Sequence, residues 1–536
     1  MDFVLTLHSH LPYVLNHGSW PHGSDWLSEA AIDTYLPLIA HLRELEAARV
    51  DAPVTIGFTP VLANQLAHPT FHKELDRYLD ARIESCREAA TDLADAQGGA
   101  LARVARFWEG RLGDLRTLFH AIDRDIPGAF RNLALRGRLE IAGGAATHGF
   151  LPLLGRDESI RLQLGLGRAE HGRIFGQLPD GCWVPECAYR PRGWCEPLPG
   201  APDPRVRAST GDFVAGAGYR WFFADAHMAR GRSGETLTPY RAYDVAHGPR
   251  GALSSLVRDP RSSAQVWSRH GGYPGDQWYL EFHKIRYPGG LRLWRVSGPG
   301  TDLGQKQPYV PENAIGQARE HAYHYASLLA HLAREQHPWG TNVIAVPFDT
   351  ELYGHWWFEG PQFLSDVYRA LRHHPQVRPV TASRHLAERP ERPRIELAEG
   401  SWGADGDFSM WLSPKTAWTW QRLWPLERAF WELAPRALSQ PSAHEALAQA
   451  TRTLLLAQSS DWQFIISTGE ATDYADHRFH SHTTDLARLL DALERGVATG
   501  ALDEASRIAT ELRTRDDVFP DVLPWVAAAL GARITA

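Results

Sequence analysis

The chain has 536 residues, a formal net charge of -7, 43% hydrophobic and 22% charged residues. That length accommodates more than one structural unit, and the mildly acidic balance gives no electrostatic case for nucleic acid or an anionic membrane as partner. Four cysteines without paired spacing suggest neither a disulfide framework nor a structural zinc site, and no apolar run approaches the roughly 18–20 residues of a membrane span.

The N-terminal stretch MDFVLTLHSHLPYV has no basic segment ahead of an unbroken apolar one, so it does not read as a signal peptide, and a reducing cytoplasm is expected. Residues 3–7 predict a buried strand that ends at His8 and opens HSH at 8–10. Two histidines at i and i+2 suit a metal ion or neutral donors to sugar hydroxyls, and the spacing does not choose between them. A helix is predicted over 28–48, then a strand over 54–58 ending at Thr59. Residues 72–123 are almost wholly helix-forming and read as an insertion.

A third strand over 139–142 leads into GGAATHGFLPLL (143–154), where His148 is either a sugar contact or a satisfied buried histidine. After a helix over 159–175, WVPECAYRP (183–191) drives an apolar run straight into a carboxylate, Glu186. Residues 221–224 end at Asp225, and ARGRSGETLTPYRAY (229–243) has the composition of a mobile loop. A helix over 313–336 precedes the run 343–348, which ends at Asp349 and opens FDTELYGHWWFEG (348–360). Buried strands alternating with helices predict a parallel α/β sheet, and so many units predict a closed barrel with its chemistry at the C-terminal strand ends. Glu186 and Asp349 fall there.

The Pro- and Arg-rich RHLAERPERPRIEL (384–397) reads as a linker, beyond which helices over 442–458, 483–498 and 503–513 take over. Six of the 20 tryptophans lie between Trp402 and Trp431. Such rings pack cores and also stack on sugar faces; the crowding of Trp418, Trp420, Trp424 and Trp431 with Leu423, Leu426 and Phe430 predicts core for those four. Glycoside cleavage with retention needs two carboxylates, one nucleophile and one acid/base. Glu351 and Glu359 compete with Asp349 for the second place, and as non-catalytic groups they would be a rim hydrogen bond and a loop anchor.

HSHLPY, GGAATHGFLPLL, WVPECAYRP, FDTELYGHWWFEG and SDWQFIISTGEATDYADHRFHSH (460–482) resemble, in order, the five sequence regions of glycoside hydrolase family 57. Within the family the likeness is closest to the 1,4-α-glucan branching enzymes, in which a cysteine follows the catalytic glutamate as Cys187 follows Glu186. The resemblance implies Glu186 as nucleophile and Asp349 as general acid/base of a retaining double displacement on an α-glucan polymer, with no metal and no cofactor. It implies an α/β fold, an incomplete TIM-like (β/α)7 barrel over 1–397 with a helical insertion over 72–126. An all-helical C-terminal domain over 398–536 would contribute to the glucan cleft. His10, His148, Trp267, Trp402, Trp411, Asp461 and Trp462 would line the groove. The loop 229–243 resembles the family's shielding loop, with Tyr240, or Tyr243 beside it, as its working tyrosine. A 4-α-glucanotransferase or amylase would use the same pair; a metal-dependent deacetylase built on His8 and His10, or a non-catalytic glucan-binding protein, would not.

Overall fold

Short apolar runs become strands wherever the flanking residues turn the chain. In the computed structural model, which describes residues 1–531 except 98, 197, 199–204, 232 and 269–270, eleven are formed. They are β1 (Asp2–Ser9), β2 (Val54–Phe58), β3 (Leu139–Gly144), β4 (Gly181–Trp183), β5 (Gly193–Cys195), β6 (Arg205–Arg207), β7 (Trp221–Ala224), β8 (Tyr243–Gly248), β9 (Gly251–Val257), β10 (Val343–Asp349) and β11 (Arg378–Pro379). Seven run parallel in the order β10-β1-β2-β3-β4-β7-β9. Their two ends meet at the single Arg258–Ala345 bridge, where the Asp259 N–H donates to Ala345 O at 2.8 Å. The result is the incomplete (β/α)7 barrel. Its strands are apolar on both faces because helices cover the outside and side chains fill the inside.

Sequence patterning did not reveal β8 and β9 as strands. β8 pairs antiparallel with β9, so the chain reverses there instead of crossing over. The β5–β6 hairpin also stands outside the alternation.

The helix-forming segment after β2 folds as two long helices, Pro69–Asp92 and Ala100–Ala121, packed on each other. Phe71, Leu75, Leu79, Ile83 and Cys86 repeat at three to four residues and bury one stripe of the first. The first helical stretch of the chain, from Ser24 to Ala47, contains a π-turn at Ala31–Tyr35.

Past the linker the described chain is helical, through Ala417–Leu438, His444–Ala457, Asp461–Thr468, Thr472–Thr499, Asp503–Arg513 and Leu523–Ala529. The linker itself is stitched down: the Ile395 N–H donates to Asp244 O, and Leu397 bridges Ala229. Helix Ala417–Leu438 tolerates internal Pro425 and Pro435 because its buried face anchors it. Trp420, Trp424 and Trp431 are buried, and their indole N–H groups donate to Trp411 O, Leu153 O and Ser159 Oγ. The last two bonds tie this helix to the loop after β3 and to the first turn of helix Asp157–Phe175. Trp418 is only half-buried, packed on Phe479 and His480. Helix Thr472–Thr499 begins well before residue 483, since its polar first turns turn only Ala475, Arg478, Phe479 and His482 inward. Among the described residues no helix is long and apolar enough to cross a membrane.

Candidate active site

β4 ends in a turn that holds Glu186 at φ 60° and Cys187 at φ 49°, a left-handed geometry that costs a non-glycine residue about 1–3 kcal/mol. His148, after β3, is held the same way at φ 58°. The turn that carries His148 is gripped from outside. The Ala146 N–H donates to Gln163 O at 2.8 Å, and helix Asp157–Phe175 approaches so closely that a Cβ on Gly167 would lie 2.2 Å from Gly144 O. Gly167 is what permits that approach.

Two donors converge on the Glu186 carboxyl. Trp402 Nε1–H donates to Oε2 at 2.9 Å, and Ser460 Oγ–H donates to Oε1 at 3.2 Å. The Trp402 backbone N–H also donates to Glu186 O at 3.0 Å, so both ends of the residue are pinned. An ionised Glu186 can only accept, and that fixes a line of tautomers behind it. Ser460 Oγ then accepts from His148 Nδ1–H at 3.0 Å, and His148 Nε2 accepts from His8 Nε2–H at 3.1 Å. His8 Nδ1 is left buried without a hydrogen-bond partner. Burial holds His8 and His148 well below the usual imidazole range, so both are neutral, as the line requires. The His8 ring stacks on Trp183 at 4.3 Å, and His148 on His10 at 4.0 Å.

Asp349 ends β10. Three parallel strands lie between β10 and β4 one way round the ring and two the other, so the two carboxyls stand on opposite walls of one barrel mouth. Burial lifts Glu186 to about 8, and the negative charge of Asp349 adds to the rise. Burial likewise lifts Asp349 to about 7, opposed by the charges of Arg258 and His10. Two buried carboxyls that feel each other retain one proton between them near neutral pH. Arg258, at the end of β9, also pairs with Asp225 Oδ2 at 3.1 Å, and its guanidinium lies 5.8 Å from the Trp402 ring centre.

The other two candidates for the second carboxyl are tied up. Glu351 Oε1 accepts from Tyr35 Oη–H at 2.5 Å and from the His10 N–H at 3.2 Å. Tyr35 is presented by the π-turn, and Asp33 on the same turn holds Arg292 and His355. Glu359 accepts from Tyr309 Oη–H and the Leu280 N–H, as a loop anchor.

Asp461 opens helix Asp461–Thr468 and pairs with His10 Nε2 at 2.9 Å, while His10 Nδ1 meets Thr59 Oγ1 at 2.9 Å. Burial raises the Asp461 carboxyl, but the charge and hydrogen bond of His10 outweigh it and bring it down to about 2. Among the described residues, His10, His148 and Asp461 form one of two trios whose ligand atoms lie within 4.8 Å of one another, the other being His17, His482 and Asp516, so a cation at this site would draw on the first. His8 is not in that group, which separates it from His10 as a ligand.

The tryptophans divide. Trp402 lies against Glu186. Trp267, the last residue of helix Pro260–Trp267, is 45% exposed, and so is Trp356, whose ring centre is 6.4 Å away. Nothing in the sequence pattern marks Trp356, hidden in HWW, nor Ser460 or Arg258 as neighbours of the carboxyls. Trp411 and Trp462, by contrast, do not present stacking faces. They are 1% and 0% exposed. Trp411 stacks on Phe150 at 4.6 Å, and Trp462 donates to Leu456 O with Arg478 over its ring.

The loop expectation also needs correction. Arg232 lies outside the described residues. The rest of 229–239 forms a small tethered hairpin, with Arg230 bridging Thr236 and an exposed tip at 233–236 that carries no tyrosine. Tyr240 is buried, and its carbonyl accepts from the N–H groups of Asn342 and Val343, at the start of β10 and far from Asp349 at its end. Tyr243 is buried too, its hydroxyl donating to Thr238 O. The antiparallel β8 begins at Tyr243, and Tyr240 lies in the bend that leads into it.

Residues 4–398 match the family described as Glycosyl hydrolase family 57. The chain belongs to that family. Residues 423–526 match a second description, 1,4-alpha-glucan branching enzyme, C-terminal. A 1,4-alpha-glucan branching enzyme of Thermococcus kodakarensis is 37% identical over 98% of this chain and 78% of its own length. Among solved structures, the family 57-type branching enzyme of Pyrococcus horikoshii superposes with a TM-score of 0.91 at 37% identity, covering 98% of this chain and 96% of that one. The alpha-amylase AmyC of Thermotoga maritima is similar at 27% identity and a TM-score of 0.83, covering 98% and 99%. Proteins named as a branching enzyme and as an alpha-amylase are thus both similar to this chain over nearly its whole length.

Proposed function

We propose that the protein is a retaining 1,4-α-glucan branching enzyme, with Glu186 as nucleophile and Asp349 as general acid/base. The observation that carries the reading is the buried, coupled pair on opposite walls of the barrel mouth, with two donors trained on Glu186. A Glu186 oxygen attacks C1 of the donor glucose, the C1–O4 bond breaks, and the Asp349 proton goes to O4. The chain is then held as a glucosyl ester. An acceptor O6–H gives its proton to Asp349 as O6 attacks C1, the ester bond breaks, and an α-1,6 linkage forms after two inversions.

This sequence needs the shared proton on Asp349, whereas burial alone favours Glu186 as its holder. Positive charge developing at the anomeric carbon reverses the balance, because it stabilises Glu186 as a carboxylate beneath it. The donors from Trp402 and Ser460 favour the same ionised form. The His8–His148–Ser460 line orients that carboxylate. Branched product places the reaction in storage-glucan synthesis. Four cysteines that are all free and buried suit a reducing cytoplasm.

The structural likeness to the alpha-amylase AmyC and the hairpin tip without a tyrosine speak for hydrolysis as the second reading. Incubating the protein with amylose and debranching the product separates the two. New short chains released by debranching support branching; reducing ends without α-1,6 points select hydrolysis, and longer linear chains select 4-α-transfer. Glu186→Gln should abolish every one of these activities without lowering the Tm, and an active variant would remove Glu186 from the role.

A further inference from the structure

Two buried amides join the barrel to the helical segment, and the proposed mechanism leaves them unused. Gln163 lies on helix Asp157–Phe175, Gln458 directly follows helix His444–Ala457, and both are buried. Gln163 Nε2–H donates to Gln458 Oε1 at 3.0 Å, and Gln458 Nε2–H donates to Glu427 Oε1 at 2.7 Å. At the other end Gln163 Oε1 accepts from the Thr147 N–H at 3.0 Å.

The ladder runs in one direction. A backbone N–H can only donate, so Thr147 turns the Gln163 oxygen toward itself and the Gln163 amide nitrogen toward Gln458. Gln458 must then point its own nitrogen at Glu427, whose other oxygen takes the Gly155 N–H at 2.7 Å. Turning either amide over would set like groups against each other. Aligned bonds of this kind polarise and strengthen one another.

The ladder is attached where the supports of Glu186 begin. Thr147 precedes His148, and Gln458 stands two residues before Ser460. The two short runs lie antiparallel: Gly149 bridges Ser459, and the Ser460 N–H donates to His148 O at 3.2 Å. They have little slack, since a Cβ on Gly149 would lie 3.1 Å from Gln163 Nε2 and from Gln458 O. Ser460 Oγ donates to Glu186 and accepts from His148, and it reaches both only while the runs keep this register.

We infer that Gln163 and Gln458 are positioning residues for the nucleophile: their one-way ladder fixes the register in which Ser460 and His148 meet the Glu186 carboxyl. The inference rests on Glu186 as nucleophile and holds for any glucan product.

The test reads amylose cleavage as new reducing ends plus new α-1,6 points across the pH range, with Tm alongside. Gln458→Leu should lower kcat/KM about tenfold and raise its acidic limb by about one pH unit, as a loosened donor to a carboxylate requires. Adding Ser460→Ala to it should cost nothing more, because both changes remove the same support. Gln458→Glu keeps the ladder while protonated: at about pH 6 it and Glu427 share a proton that replaces the lost N–H. This variant should match the wild type there and fall about tenfold below it by about pH 9. That ratio decides the matter if Gln458→Leu does not fold. A lowered Tm with kcat/KM and the acidic limb unmoved would make the ladder purely structural and overturn the inference. Additive losses in the double variant, or a flat ratio for Gln458→Glu, would overturn it too. Product without α-1,6 points would remove the branching reading alone, whereas an active Glu186→Gln would remove the nucleophile and this inference with it.

Discussion

Trp402→Phe isolates one hydrogen bond in the proposed mechanism. The substitution keeps an aromatic ring beside Trp183 and the backbone bond to Glu186 O, but removes the indole N–H that donates to Glu186 Oε2 at 2.9 Å. A hydrogen bond to a charged group contributes about 1.5–3 kcal/mol, so transition-state stabilisation by an ionised Glu186 should fall by that amount, about 10- to 100-fold in kcat/KM. The same bond lowers the Glu186 pKa. Its loss should therefore move the acidic limb of the kcat/KM profile upward by about 1–2 pH units. Initial rates of glucan cleavage between pH 4 and 9, with Tm measured alongside, give both numbers. A fall in rate with an unmoved acidic limb would mean that Trp402 acts on the substrate and not through the carboxylate; an unaltered rate would refute the donor's role altogether.

Trp267→Ala should lower kcat/KM and leave Tm in place, since its ring is already half in solvent, whereas Trp420→Ala should cost about 3–5 kcal/mol of stability; the opposite pattern in a melt beside kinetics would exchange their assignments. Prolonged chelation should leave activity unchanged, and a loss restored by zinc would make His10, His148 and Asp461 a metal site. Burial lifts Glu427 to about 7 from an ordinary 4.5. A folded-state pKa raised in this way stabilises the protein at low pH and loses that contribution as pH rises through 7. Glu427→Gln, which keeps an acceptor for the Gly155 N–H, should remove about 3 kcal/mol of this pH dependence; parallel Tm slopes between pH 5 and 8 for variant and wild type would contradict it.

The strand ends were legible because a parallel barrel buries its strands on both faces, so each apolar run announces where it stops. Glu186 and Asp349 were placed at strand ends in that way, and the helical segment after β2 was legible in its composition. Trp411 and Trp462 were misjudged because indole suits a core and a sugar face equally, and only burial separates the uses. Tyr240 was misplaced because Asp, His, Ser and Gly interrupt the apolar runs of β8 (YDVAHG) and β9 (GALSSLV), so the reversal of the chain between them was invisible. Ser460 and Arg258 escaped because nothing local marks them: each acts on a carboxyl delivered from more than 80 positions away in the chain.

Those distant partners say what the helical C-terminal segment is for. Of the two donors on the Glu186 carboxyl, one is Trp402, just beyond the linker, and the other is Ser460, ahead of helix Asp461–Thr468. The partner that holds His10, Asp461, starts that same helix. Barrel strands alone would thus present two buried carboxyls with no side-chain donor for Glu186 and no anion for His10. An unsatisfied buried carboxyl resists ionisation, and a neutral Glu186 is not a nucleophile. The indoles of Trp424 and Trp431 fasten the long helix to Leu153, in the segment after β3 that also carries His148, and to Ser159 in the helix that follows. Docking of the helices and ionisation of Glu186 are in this sense one event: the contacts that seat the C-terminal segment on the barrel also bring the donors that make a carboxylate tolerable at the bottom of the cleft.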